Sequence, residues 1–69
     1  MIVASTIDTA SDARIKTLGI NEGESQDDFI KRSNSVLSDA MKRYDYTISD
    51  VFLYFYDEHL NIIPSLQNS

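Results

Sequence analysis

Val51-Phe52-Leu53-Tyr54-Phe55-Tyr56 is the stretch whose reading decides the fold. Six successive β-branched, aliphatic and aromatic residues predict a β-strand. Asp57-Glu58-His59-Leu60-Asn61 and then Ile62-Ile63 follow it. That order predicts a hairpin with Asp57 and Asn61 flanking a short loop, although no glycine supplies the left-handed position such loops favour. Pro64 suits an edge strand or its end, since it cannot donate to a ladder. The competing reading is helical: Thr47 with Asp50 can cap, and Ile48, Phe52, Phe55, His59 and Ile63 recur at helical spacing. A strand at 51–56 gives an α+β domain, whereas a helix gives an all-α three-helix bundle. The unbroken β-branched and aromatic run favours the strand.

Upstream lies an amphipathic helix predicted from about 26 to 44. Ser25 is its N-cap with Asp28 three residues on, and Phe29, Ser33, Val36, Leu37, Ala40, Met41 and Tyr44 share one face. Asp27 to Lys31, Asp28 to Arg32 and Asp39 to Arg43 are i,i+4 pairs in the favourable acid-first order. Acids at the start and Lys42-Arg43 at the end complement the helix dipole.

Further upstream, Arg14-Ile15-Lys16-Thr17-Leu18-Gly19-Ile20 carries β-branched residues at 15, 17 and 20 and reads as a strand. A short helix over 10–18, capped at Thr9 and stopped at Gly19, is the alternative. Residues 4–12 are small and polar and suggest that 1–12 is a flexible lead-in. The expected organisation is therefore a single β-α-β-β domain over 13–66, a three-stranded sheet with one long helix on one face. The tail, residues 67–69 with 65–66 just before it, is expected to fray. No internal repeat is visible.

With a period of two, Val51, Leu53 and Phe55 point to one side of their strand and Phe52, Tyr54 and Tyr56 to the other. Both faces are apolar, and one helix covers only one. The aromatic set with Ile62 is therefore the candidate partner or subunit interface. Base stacking on those rings is disfavoured, because 44–69 contains no Lys or Arg and does contain Asp45, Asp50, Asp57 and Glu58.

The segment Asn21-Glu22-Gly23-Glu24-Ser25-Gln26-Asp27-Asp28 makes Glu22, Glu24, Asp27 and Asp28 a candidate acidic docking patch. Its spacing fails the EF-hand pattern, so no metal is expected there. His59 is the sole histidine and there is no cysteine, which removes the usual zinc sets and any disulfide. No nucleophile elbow, phosphate loop or dinucleotide fingerprint is present, so neither catalytic residues nor a cofactor are expected.

Eleven acidic against six basic residues give a net charge of −5 over 69 residues. That balance disfavours contact with phosphate backbones and anionic lipid surfaces. The opening residues lack the basic and apolar regions of a signal peptide, and no apolar run reaches membrane-spanning length. Absence of cysteine fits a reducing compartment, so a cytoplasmic location is expected. A chain this short buries only about 60% of its unfolded surface, and association is its remaining source of stability. Together these features predict a non-enzymatic protein-binding module, a self-associating regulator or inhibitor of a larger protein, with a homo-oligomer and an unidentified protein partner. Two alternatives are a nucleic-acid mimic occupying a basic groove and a single-strand nucleic-acid binder acting through the sheet aromatics.

Overall fold

The start of the chain builds the middle of the sheet. In the computed structural model, which describes residues 1–67, Val3–Asp8 form β1, Arg14–Gly19 form β2, Gln26–Arg43 form α1, Val51–Tyr56 form β3 and Pro64–Gln67 form the single-turn α2. The strand order is β2-β1-β3, with β1 antiparallel to both neighbours. It follows that β2 and β3 run in the same direction on either side of β1, and that α1 crosses over β1 to join them.

This is an α+β domain with a three-stranded sheet and one long helix, not a three-helix bundle. The order of strands nevertheless corrects the β-α-β-β expectation to β-β-α-β. The flexible lead-in expected over 1–12 instead contributes the central strand, and residues 4 to 7 are all buried. Its composition has a packing reason. Ala4 and Thr6 pair with Phe55 and Leu53 on the helix side, where Ala4 joins Phe29 of α1 and Phe55 in the core and its small side chain leaves room for both rings. Ser5 does the same for the opposite face, beneath larger neighbours. Residues that look linker-like in isolation are those a strand needs when it is covered on both sides.

The β1–β2 hairpin closes through Asp8, whose carboxylate accepts the Ala10 N–H at 2.9 Å and the Ser11 N–H at 3.2 Å. Asp12 takes the left-handed conformation at φ 59°, which Asp tolerates better than most residues. The ladder shifts register between Thr6 and Ile7, a bulge in the β1–β2 pairing.

Helix α1 begins as its sequence predicts. The Ser25 hydroxyl accepts the Asp28 N–H at 3.1 Å, satisfying one of the donors a helix start leaves open. Phe29, Ser33 and Ala40 are buried, whereas Val36, Leu37 and Met41 are half-buried. Tyr44, expected on the core face, caps the helix and stays exposed, its ring 5.9 Å from Tyr46. The core joins Ala4, Phe29, Phe55 and Leu66, with the Phe29 and Phe55 rings edge-to-face at 6.1 Å. Each buried large side chain contributes about 1.5–3 kcal/mol by leaving water.

The loop after β3 is flanked by Asp57 and Asn61 as anticipated. Asp57 N–H donates to the Asn61 carbonyl at 2.9 Å, and Leu60 supplies the positive φ of 65° that no glycine was there to provide. The strand expected at 62–63 shrinks to one bridge between Tyr56 and Ile62. The chain then turns into α2, with Pro64 at the first helical position, where no N–H is needed. Fraying expected before the terminus is likewise corrected: Leu66 is buried in the core, and the Gln67 amide bonds to β3. The rest of that expected tail, 68–69, lies outside the described residues.

Candidate functional site

Phe52, Tyr54 and Tyr56 occupy the sheet face turned away from α1. The assignment follows from Phe55, which packs on Phe29 and therefore fixes the odd-numbered side of β3 as the helix side. Ring centroids are 4.7 Å apart for Phe52 and Tyr54 and 6.2 Å apart for Tyr54 and Tyr56, so the three rings form one row along the strand. Across the sheet, Val3, Ser5 and Ile7 stand opposite Tyr56, Tyr54 and Phe52. Ile62 pairs with Tyr56 on the other side, which sets it on the same face. All four residues of the predicted interface thus come together.

The face is neither fully covered nor bare. Phe52 is 44% exposed and Ile62 is 47% exposed, while Tyr54 and Tyr56 are half-buried. Burial of Ser5 on this side explains the difference. A small central residue leaves room for the neighbouring rings to settle over β1, and the Ser5 hydroxyl satisfies itself with the Thr17 hydroxyl at 3.1 Å. What remains open is an aromatic and aliphatic strip whose polar atoms are chiefly the two phenols. Contiguous apolar strips of this kind are a common feature of docking surfaces.

The acidic segment is partly committed to structure. Arg32 Nε and Nη2 donate to the two Glu24 carboxylate oxygens, each at 2.9 Å, and Nη2 also reaches the Gly19 carbonyl at 2.8 Å. Glu24 additionally accepts the Asn21 N–H at 3.0 Å. The Arg32 bonds and this backbone donor hold the Glu24 carboxyl down at about 2. Arg32 therefore turns to Glu24 rather than to Asp28, its helical i−4 neighbour. Glu22, Asp27 and Asp28 remain exposed around the helix start.

His59 is an exposed loop residue, its Nε2 3.8 Å from a Glu58 carboxylate oxygen that is equally open to solvent. Asp57 beside it serves the loop backbone: it accepts the His59 N–H at 2.8 Å and the Asn61 N–H at 3.0 Å. Those bonds, the Asn61 one foremost, lower its pKa. Among the described residues no three His, Asp or Glu side chains gather into a metal-binding group, and no helix is long and apolar enough to cross a membrane.

Two features escaped the sequence reading. Tyr46 donates its phenol to Asp8 at 2.7 Å, tying the loop before β3 to the end of β1. A groove of about 410 Å³ also opens between β2 and the later turns of α1. Neither has a local signature, because each joins residues far apart in the chain. Comparison with family models, curated proteins and solved structures returns no match for this chain.

Proposed function

We propose that this chain is a non-enzymatic protein-binding module that self-associates through its aromatic sheet face and acts as a regulator or inhibitor of a larger protein. The observation that carries the reading is the row Phe52, Tyr54 and Tyr56, continued by Ile62, on the face opposite the helix. Aromatic side chains are the usual anchors of protein interfaces, giving large contact area for few rotatable bonds. A small domain also gains stability by covering such a strip with a second copy, and a two-fold arrangement lets one patch complete itself.

The exposed Glu22, Asp27 and Asp28 give the assembly an acidic surface for a basic partner. A nucleic-acid mimic draws less support, because Glu24 is spent on Arg32 and Lys31 interrupts the row of carboxylates. Stacking of single-stranded bases draws less again, since the rings lie on a strand with no cation from 44 onward.

Light scattering of the parent and of Tyr54→Glu tests the proposal. The parent is expected to dimerise or assemble further at micromolar concentration. The variant, with an unpaired charge set into the interface, is expected to be monomeric and less stable. A parent that stays monomeric at high concentration, with a variant equally soluble and stable, overturns self-association through this face.

A further inference from the structure

The two outer edges of the sheet are finished differently. On β3 the odd-numbered residues turn their backbone groups outward, and the chain's own later segment meets them. Ile63 N–H donates to Phe55 O at 2.9 Å, Phe55 N–H donates to Gln67 Oε1 at 2.7 Å, and Gln67 Nε2 donates to Leu53 O at 3.0 Å. The Gln67 side-chain amide thus takes the place of a neighbouring strand's peptide group.

Among the described residues, edge β2 has no such cover. Ile20 N–H donates to Ile2 O at 3.0 Å, so by the alternation of an antiparallel ladder Leu18 and Lys16 also bond inward, while Thr17 and Gly19 face outward. The outward carbonyl of Gly19 takes Arg32 at 2.8 Å. For the exposed Thr17, neither N–H nor C=O meets a partner among the described residues. Beside this edge runs the 410 Å³ groove, floored by Ile15, Val36 and Ala40 and rimmed by Lys16, Arg43 and Tyr44. Among the described residues that line it, Asp39 is the one acid against the two cations.

We propose that the outer edge of β2 and this groove accept an extended acidic segment of a partner protein as a fourth strand. An incoming backbone supplies the acceptor and donor that Thr17 lacks, and its alternate side chains enter the groove, where carboxylates meet Lys16 and Arg43. A free small anion would answer the cations but leave the Thr17 peptide groups unmet. A second copy presenting its own β2 would bring another Arg14 and Lys16 to the same edge, and like charges gathered along one edge repel. Charge therefore selects an acidic strand, in a chain whose surface is otherwise mostly negative. The site lies on a sheet edge rather than on the aromatic face, and the two stand independently.

The probe is the synthetic peptide acetyl-Glu-Val-Glu-Val-Glu-Val-Glu-amide, titrated into the isotope-labelled protein and followed by amide resonances. Expected are shifts and slowed hydrogen exchange at residues 15–19, shifts along 36–43, and binding that weakens as salt is raised. The lysine counterpart of the peptide is expected not to bind. Thr17→Pro deletes an outward N–H that takes no part in the β1–β2 ladder. Thr17→Val, which keeps that N–H but loses the hydroxyl that meets Ser5, separates the two losses and should bind as the parent does. Lys16→Glu reverses the rim charge on an exposed side chain and keeps the test open should the proline variant not fold. Thr17→Pro and Lys16→Glu are each expected to lose about tenfold in affinity, the equivalent of one backbone hydrogen bond for the first and of one ion pair for the second. No shift with the acidic peptide, equal binding of the lysine peptide, shifts confined to Phe52, Tyr54 and Tyr56, undiminished binding by folded Thr17→Pro or Lys16→Glu, or a loss in Thr17→Val equal to that in Thr17→Pro overturns the proposal.

Discussion

The Tyr46 phenol donates to Asp8 Oδ2 at 2.7 Å, and the other oxygen of that carboxylate takes the N–H groups of Ala10 and Ser11. One side chain thereby shapes the β1–β2 turn and anchors the loop that delivers β3. The hydrogen bond from Tyr46, ahead of the two backbone donors, lowers the Asp8 pKa and in return raises that of Tyr46.

For Tyr46→Phe, the Asp8 pKa should rise toward the ordinary aspartate value, read from its carboxyl resonance across a pH titration. The turn itself should persist through Ala10 and Ser11, while amide exchange at the Asp8–Val51 end of the β1–β3 pairing should quicken. An unmoved Asp8 titration would remove the bond from solution.

Acid should weaken the fold through Glu24. Its carboxyl sits at about 2 in the folded chain against an ordinary 4.5, so the unfolded chain takes up its proton first. The stabilisation is fully present above about pH 4.5 and is lost as pH falls toward 2. Asp8 and Asp57, also lowered, add in the same direction. Urea midpoints measured through this window should fall with pH, and Glu24→Gln should flatten the slope.

Phe29 is the most costly side chain to truncate. It is fully buried against Phe55, and Phe29→Ala should lose about 3–5 kcal/mol, most of the stability a domain of this size has. Circular dichroism should show a largely unfolded variant. Leu37 is only half-buried, beside a surface cavity of about 200 Å³, so Leu37→Ala should cost less, on the order of 1–2 kcal/mol. Equal melting temperatures for the two variants would misplace the core.

Ser33 is the opposite case. Its hydroxyl is fully buried and finds no hydrogen-bond partner among the described residues. Ser33→Ala removes that desolvated group and improves helix propensity, so stability should rise by about 1 kcal/mol or more. Thermal melts of parent and variant decide it, and a lower melting temperature would mean that the hydroxyl has a partner in solution.

Legibility in the sequence followed locality. Ser25, the apolar spacing from Phe29 to Ala40 and the run from Val51 to Tyr56 all speak within a few residues, and the corresponding helix and strand stand at those positions. The split of Val51, Leu53 and Phe55 from Phe52, Tyr54 and Tyr56 needed only the two-residue period, and that split made the aromatic face visible in advance. The central strand was hidden because Ala4, Ser5 and Thr6 are small for reasons that lie in α1 and β3, far along the chain. A signal did exist: Ile2, Val3, Thr6 and Ile7 are β-branched, more than a linker of that length requires. Glu24 and Arg32 lie eight positions apart with the helix start between them, a spacing no helical rule pairs. The β2 groove depends on how α1 sits over the sheet, which residue order does not express.

Placing β1 between partners from opposite ends of the chain also governs the order in which the domain can assemble. Its hairpin with β2 needs only a short closure and can form while the rest is still being synthesised. Its other side stays unpaired until Val51–Tyr56 emerge, after the whole of α1. That interval exposes a short strand edge to neighbouring chains, and its brevity and the small side chains of Ala4, Ser5 and Thr6 make it a poor template for mispairing. Closure by β3 is then the step that converts a hairpin and a loose helix into a cooperative unit, and the folding rate should respond most to changes at the Thr6–Leu53 and Ala4–Phe55 pairs.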